Sequence, residues 1–180
     1  MFIEQLADYQ SSNRPIIYLD ECGFKTSSYR PYAYAPRGQK CFDSYNWQLK
    51  STTNAIGAIH GNQLFAVGLY DFNVNADVFY HWTKNLLLPA LSPHSLIVMD
   101  NARFHIREDI KNLIEQAGNT ILWLPPYSPD LNPIEHIWAW VKRLRQDWRL
   151  DDIDKLFFYF MWICGSFFGV MSDTFPAIGK

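Results

Sequence analysis

Two kinds of hydrophobic pattern alternate along the chain: short apolar runs that stop abruptly, and longer stretches with apolar residues at helical spacing. Residues 16–20 (IIYLD) are a compact apolar run ending on an acid, and they predict a buried strand. Residues 52–60 and 63–70 predict two further strands, and Gly61-Asn62 between them is a two-residue hairpin signal. The stretch from Gly23 to Gly38, with Pro31 and Pro36, reads as strand ends and turns. Beyond Asn75 the period changes. Val78, Phe79, Trp82, Leu86 and Leu87 share a helix face, with Asn75 or Asp77 as the cap. Residues 95–100 (SLIVMD) are a second strand ending on an acid. Ile110, Leu113 and Ile114 mark an amphipathic helix over 107–117 that Gly118 stops. Residues 120–124 predict another strand, 125–129 a proline-rich turn, and 133–148 a last helix.

Three antiparallel strands followed by strand–helix alternation predict an α/β fold, a mixed five-stranded sheet flanked by helices. This is the element order of a ribonuclease H-like fold. Residues 1–150 read as one such domain, and 151–180 as an apolar C-terminal helical tail. The tail carries no charge over 156–171. Those 16 residues fall short of the ~20 that cross a bilayer, so no membrane partner is expected. A closing helix packed on the domain and an end atypical of it both fit.

Composition narrows the function classes. Hydrophobic residues at 48% and aromatics at 17% predict a packed core, which excludes a disordered chain. A net charge of −2 excludes a protein that merely coats nucleic acid, so any DNA contact must be local or assisted by another segment. Cys22, Cys41 and Cys164 are odd in number and scattered, which argues against a disulfide framework and a zinc site. The start lacks a basic segment followed by an apolar one, so a cytoplasmic protein is expected.

The acids at strand ends carry the candidate chemistry. Phosphodiester cleavage by two Mg²⁺ ions needs carboxylates converging on ions roughly 4 Å apart. Mg²⁺ keeps several waters, so two or three acids suffice. Asp20 and Asp100 each end an apolar strand. Were those strands parallel neighbours, both acids would reach the sheet edge where open α/β sheets bind ligands. Glu135 opens the last helix and would lean toward the same edge. On residues alone, each Asp equally fits a turn or cap. Glu135 equally fits a capping box with Asn132 as N-cap and Pro133 as first helical residue.

Four stretches decide between these readings by resemblance. They are YLDECGF at 18–24, RPYAYAPRG at 30–38, VMDNARFH at 98–105 and LPPYSPDLNPIE at 124–135, followed by Trp138 and Lys142. They resemble the DDE catalytic domain of bacterial insertion-sequence transposases in the mariner-like superfamily. The 34 residues between Asp100 and Glu135 are a spacing typical of that family. The resemblance implies that Asp20, Asp100 and Glu135 are catalytic and hold two Mg²⁺ (or Mn²⁺) ions, with Asp20 bridging. It implies that Asn101 and His105 shape the site. It also implies DNA cleavage at transposon ends and strand transfer into target DNA, with self-association on DNA. Family members carry an upstream helix-turn-helix that reads the ends, and no stretch here resembles it. A separate upstream polypeptide or domain is the expected partner. The alternative is an inactive, truncated transposase acting only as a DNA-binding or regulatory remnant.

Basic residues supply DNA-contact candidates. Lys142 lies two turns beyond Glu135 on the same helix face, and Arg145 follows it. Arg37 and Lys40, beside Gly38, are a second pair. Glu21 should face away from Asp20, because alternate strand residues point to opposite faces. His136 points some 100° from Glu135 and is set aside.

Overall fold

A computed structural model describes residues 2–25, 35–40 and 52–164. The expectations for Pro31, for Cys41 and for residues 165–171 lie outside these. Helix α1 (Phe2–Ser11) precedes β1 (Ile16–Lys25), β2 (Thr52–His60) and β3 (Gln63–Tyr70). A helical stretch follows: α2 (Ala76–Trp82), a π-helical turn (Thr83–Leu87) and α3 (Leu88–Ala90). Then come β4 (Leu96–Met99), α4 (Glu108–Gln116), β5 (Thr120–Trp123), α5 (Ile134–Trp148) and α6 (Ile153–Ile163).

The five strands form one sheet in the order β3-β2-β1-β4-β5. β1 is antiparallel to β2 and parallel to β4, and β5 is parallel to β4. The expected mixed sheet is therefore observed. β1 runs five residues past its predicted end at Asp20. Its pairing with β4 stops at Tyr18–Val98, but pairing with β2 continues to Lys25–Thr52. The hairpin partner, invisible in a local apolar run, extends the strand.

Helices cover both faces. Ile17 and Leu19 of β1, with Ile97 and Met99 of β4, pack under Phe79, Trp82, Ile110 and Ile114 of α2 and α4. Cys22 and Phe24 face the other way, against α5 and α6. Asn75 caps α2 as expected, accepting from the Asp77 and Val78 amides. Helix α1 was not expected. Its Phe2, Leu6 and Tyr9 pack on Val98, Leu122 and Leu124; that spacing was legible but lacks a capping residue. α6 buries Leu156, Phe157, Phe160 and Met161 against α5 and β1. No described helix is long and apolar enough to cross a membrane.

Candidate active site

The parallel β1–β4 register places the first two acids. Ile16 pairs with Leu96 and Tyr18 with Val98, the last pair, and Asp20 and Asp100 each follow that pair by two residues. Neighbouring strands are ~4.8 Å apart, so both acids emerge at one sheet edge. Glu135 arrives on the first turn of α5. Asp20 pairs with Gly57 of β2, and the Trp138 ring lies over Gly57, where an added Cβ would come within 2.8 Å of it. Glu135 is one turn before Trp138, so this close packing brings it over the strand ends.

Asp20, Asp100 and Glu135 line one cavity of about 430 Å³, together with Asn101, Asn132 and the proline-rich turn. Tyr127 on that turn is wholly exposed and holds a left-handed φ of 55° at the cavity rim. A second cavity of about 400 Å³ opens at the other end of β1, beside Pro15, Gln63 and Pro89, and no acid lines it.

The electrostatics are those of crowded anions. Burial raises the Asp20 pKa to about 8, and the charges of Glu21, Glu135 and Asp100 add to the rise. Asp100 moves the other way, held below its ordinary 3.8 chiefly by a hydrogen bond from His105. His105 is buried at 1% exposure. Its Nδ1 lies 2.6 Å from Asp100 Oδ1, and its Nε2 lies 2.7 Å from Glu21 Oε1. Burial pulls the imidazole pKa down, but the two carboxylates outweigh it and lift it to about 9.

An all-oxygen, partly buried and mutually repelling set of acids suits a hard divalent cation. Among the described residues, no three His, Cys, Asp or Glu side chains are already closed into a cation cluster. The carboxylates of Asp20 and Glu135 instead face open cavity space. Mg²⁺ does not require a closed protein cage, since it retains waters.

Glu21 faces away from Asp20, as strand alternation requires, and there it grips His105; alternation alone did not reveal that partner. Asn132 is not the N-cap of α5: Pro133 holds that position, with no side-chain cap bond. The Asn132 amide is buried and donates to the Leu19 carbonyl at 3.0 Å, tying the start of α5 to β1 beside Asp20. A helix-start motif conceals such a long-range bond.

The basic candidates separate. Lys142 is exposed and lies near Cys22 and Phe24, on the sheet face that carries Asp20. Arg145 is buried, and its guanidinium donates to the carbonyls of Leu150 and Lys25. Arg37 and Lys40 are exposed on a turn at Gly38.

Residues 15–157 match the DDE superfamily endonucleases. The catalytic domain of Mos1 mariner transposase is similar in fold, with a TM-score of 0.65 at 17% identity over 91% of this chain and 77% of that one. The Mos1 strand transfer complex gives 0.65 at 22% identity, over 79% of this chain and 45% of that one. Other structures of that catalytic domain were determined with Mg or Mn. An uncharacterized protein of Sinorhizobium fredii (strain NBRC 101917 / NGR234), y4pE/y4sA, is 32% identical over 62 residues, which is 34% of this chain and 42% of that protein. The chain thus spans less than half the length of that relative. The sheet order, the helices on both faces and these neighbours make the fold ribonuclease H-like. With its matched segment covering most of its length, the chain belongs to the DDE superfamily endonucleases.

Proposed function

We propose that this chain is the catalytic domain of a DNA transposase, cleaving DNA at transposon ends and joining the freed ends to target DNA. One observation carries the reading: acids from β1, from the loop after β4 and from the start of α5 line a single cavity. Asp20, Asp100 and Glu135 would hold two Mg²⁺ or Mn²⁺ ions. Bound there, the ions would activate the attacking water or 3′ hydroxyl and stabilise the leaving oxygen. The raised pKa of Asp20 supports this, since a cation would offset the burial and the neighbouring negative charges that disfavour its carboxylate.

The other residues bind and orient substrate. Asn101 lines the cavity and its exposed amide contacts the scissile strand. Lys142 contacts a neighbouring backbone phosphate, with Arg37 and Lys40 as further contacts. Arg145 has no such part, because its guanidinium is engaged in closing the end of α5. Tyr127 offers an aromatic face to a base beside the scissile phosphate. Recognition of the ends belongs to a helix-turn-helix partner or domain, and the chains pair on DNA.

The test uses the metal-stripped protein and a supercoiled plasmid carrying the element's ends. Nicking should appear with Mg²⁺ or Mn²⁺ and vanish with EDTA. Asp100→Asn should fold normally and cut more than about 100-fold more slowly, a loss of about 2.7 kcal/mol of barrier lowering. Undiminished nicking by Asp100→Asn rejects the reading.

A further inference from the structure

Regular pairing between β1 and β4 ends at Tyr18–Val98, two residues before the acids that must act together. No ladder hydrogen bond therefore sets Asp100 against Asp20. A side-chain bridge spans the gap instead. Glu21, next to Asp20 but on the opposite sheet face, accepts from His105 Nε2 at 2.7 Å. The other ring nitrogen of His105 meets Asp100 Oδ1 at 2.6 Å, and the Ala102 amide donates to the same oxygen at 3.1 Å. The His105 amide closes the intervening turn onto the Ala102 carbonyl at 2.9 Å.

The bridge is rigid. The imidazole is packed against both Phe79 and Phe104, with both ring centroids 4.3 Å away. Both of its nitrogens are used, so it cannot turn without breaking a bond to a carboxylate. Two donors hold Asp100 Oδ1, and among the described residues none is assigned to Oδ2.

The same pocket filled by an apolar side chain would stabilise the core as well or better, because burying charged partners carries a desolvation cost. What the bridge adds is orientation. We propose that Glu21 is a positioning residue: through His105 it fixes the Asp100 carboxylate so that Oδ2 alone faces the cavity, in step with Asp20. This rests on the metal-dependent reading above. It concerns a residue that does not line the cavity.

The experiment reads metal binding directly, apart from catalysis. The full chain and its variants are titrated with Mn²⁺, free ion is measured by electron paramagnetic resonance, and folding is checked by circular dichroism. Glu21→Ala should weaken Mn²⁺ binding by about ten- to a hundredfold, the usual effect of removing a partner that orients a ligand. Glu21→Gln retains an oxygen that accepts from Nε2 and should bind within about threefold of the wild type. If Glu21→Ala does not fold, His105→Asn replaces it, with the same loss expected. The inference is overturned if the folded alanine or asparagine variant binds Mn²⁺ like the wild type, or if Glu21→Gln is as weak as Glu21→Ala. A wild-type chain that binds no Mn²⁺ overturns the metal reading and this inference with it.

Discussion

Two side chains at this site, His105 and Asp20, titrate far from their ordinary values, which makes the folded chain sensitive to pH. His105 has a folded pKa of about 9 against an ordinary 6.5. Its ion pairs therefore contribute fully below pH 6.5, and that contribution is lost as pH rises through 9. Asp20 is an acid whose pKa is raised from 3.8 to about 8. The folded state holds this proton more tightly than the unfolded state, so stability again falls as pH climbs across that window. Both signs agree. Melting in EDTA should move to lower temperature between pH 6.5 and 9, and Mg²⁺ should remove the Asp20 share by taking the proton's place. His105→Gln should flatten the upper part of the curve. Thermal denaturation across a pH series checks this; a melting temperature that rises with pH contradicts it.

Elements matter here through how closely they approach one another. α5 delivers Glu135 only because Gly57 leaves room for Trp138: a Cβ at 57 would stand 2.8 Å from the ring and 3.2 Å from Leu64. Gly57→Ala should cost about 1–3 kcal/mol in urea denaturation by overpacking. It should also slow nicking beyond what the remaining folded fraction explains, because lifting Trp138 lifts Glu135. Nicking that simply follows the folded fraction would show that α5 does not set the geometry. The Asn132 bond to Leu19 works alongside, anchoring the first turn of α5 where Trp138 anchors the second. Both anchors end within a residue of Asp20 on β1 or on its partner Gly57 in β2, which fixes the start of α5 against the sheet beside Asp20.

At the scale of the whole molecule, α6 completes the core instead of trailing from it. Phe157 meets Phe24 edge-on at 5.4 Å and Trp138 at 6.3 Å, and Leu156 is wholly buried. Five buried side chains, Ile153 among them, at about 1.5–3 kcal/mol each rival the net stability of an entire domain. A chain ending at Leu150 should therefore lose cooperative unfolding and bind a hydrophobic dye. Cooperative melting of that shortened chain would refute the assignment of α6 to the core. The exposed faces of Trp140, Phe158 and Trp162 lie on the same two helices.

Periodicity alone determined the strands at 52–60 and 63–70 and the helices at 76–90, 108–116 and 134–148, because these rest on contacts between near neighbours, and the order of the elements implied the mixed sheet. Position at the ends of apolar runs left Asp20 and Asp100 open to a turn or cap; the resemblance singled them out with Glu135, and the fold sets all three around one cavity. Tertiary structure decided what depends on distant partners. The extension of β1 to Lys25 came from β2, the burial of Arg145 from the carbonyls of Lys25 and Leu150, and the role of Asn132 from Leu19. Glu21 is the clearest case. Strand alternation correctly turned it away from Asp20, but only the folded chain brings His105, 84 positions away, to connect that opposite face with Asp100. A bond between residues so far apart leaves no periodic trace, because its cause is the closure of the sheet and not the local pattern.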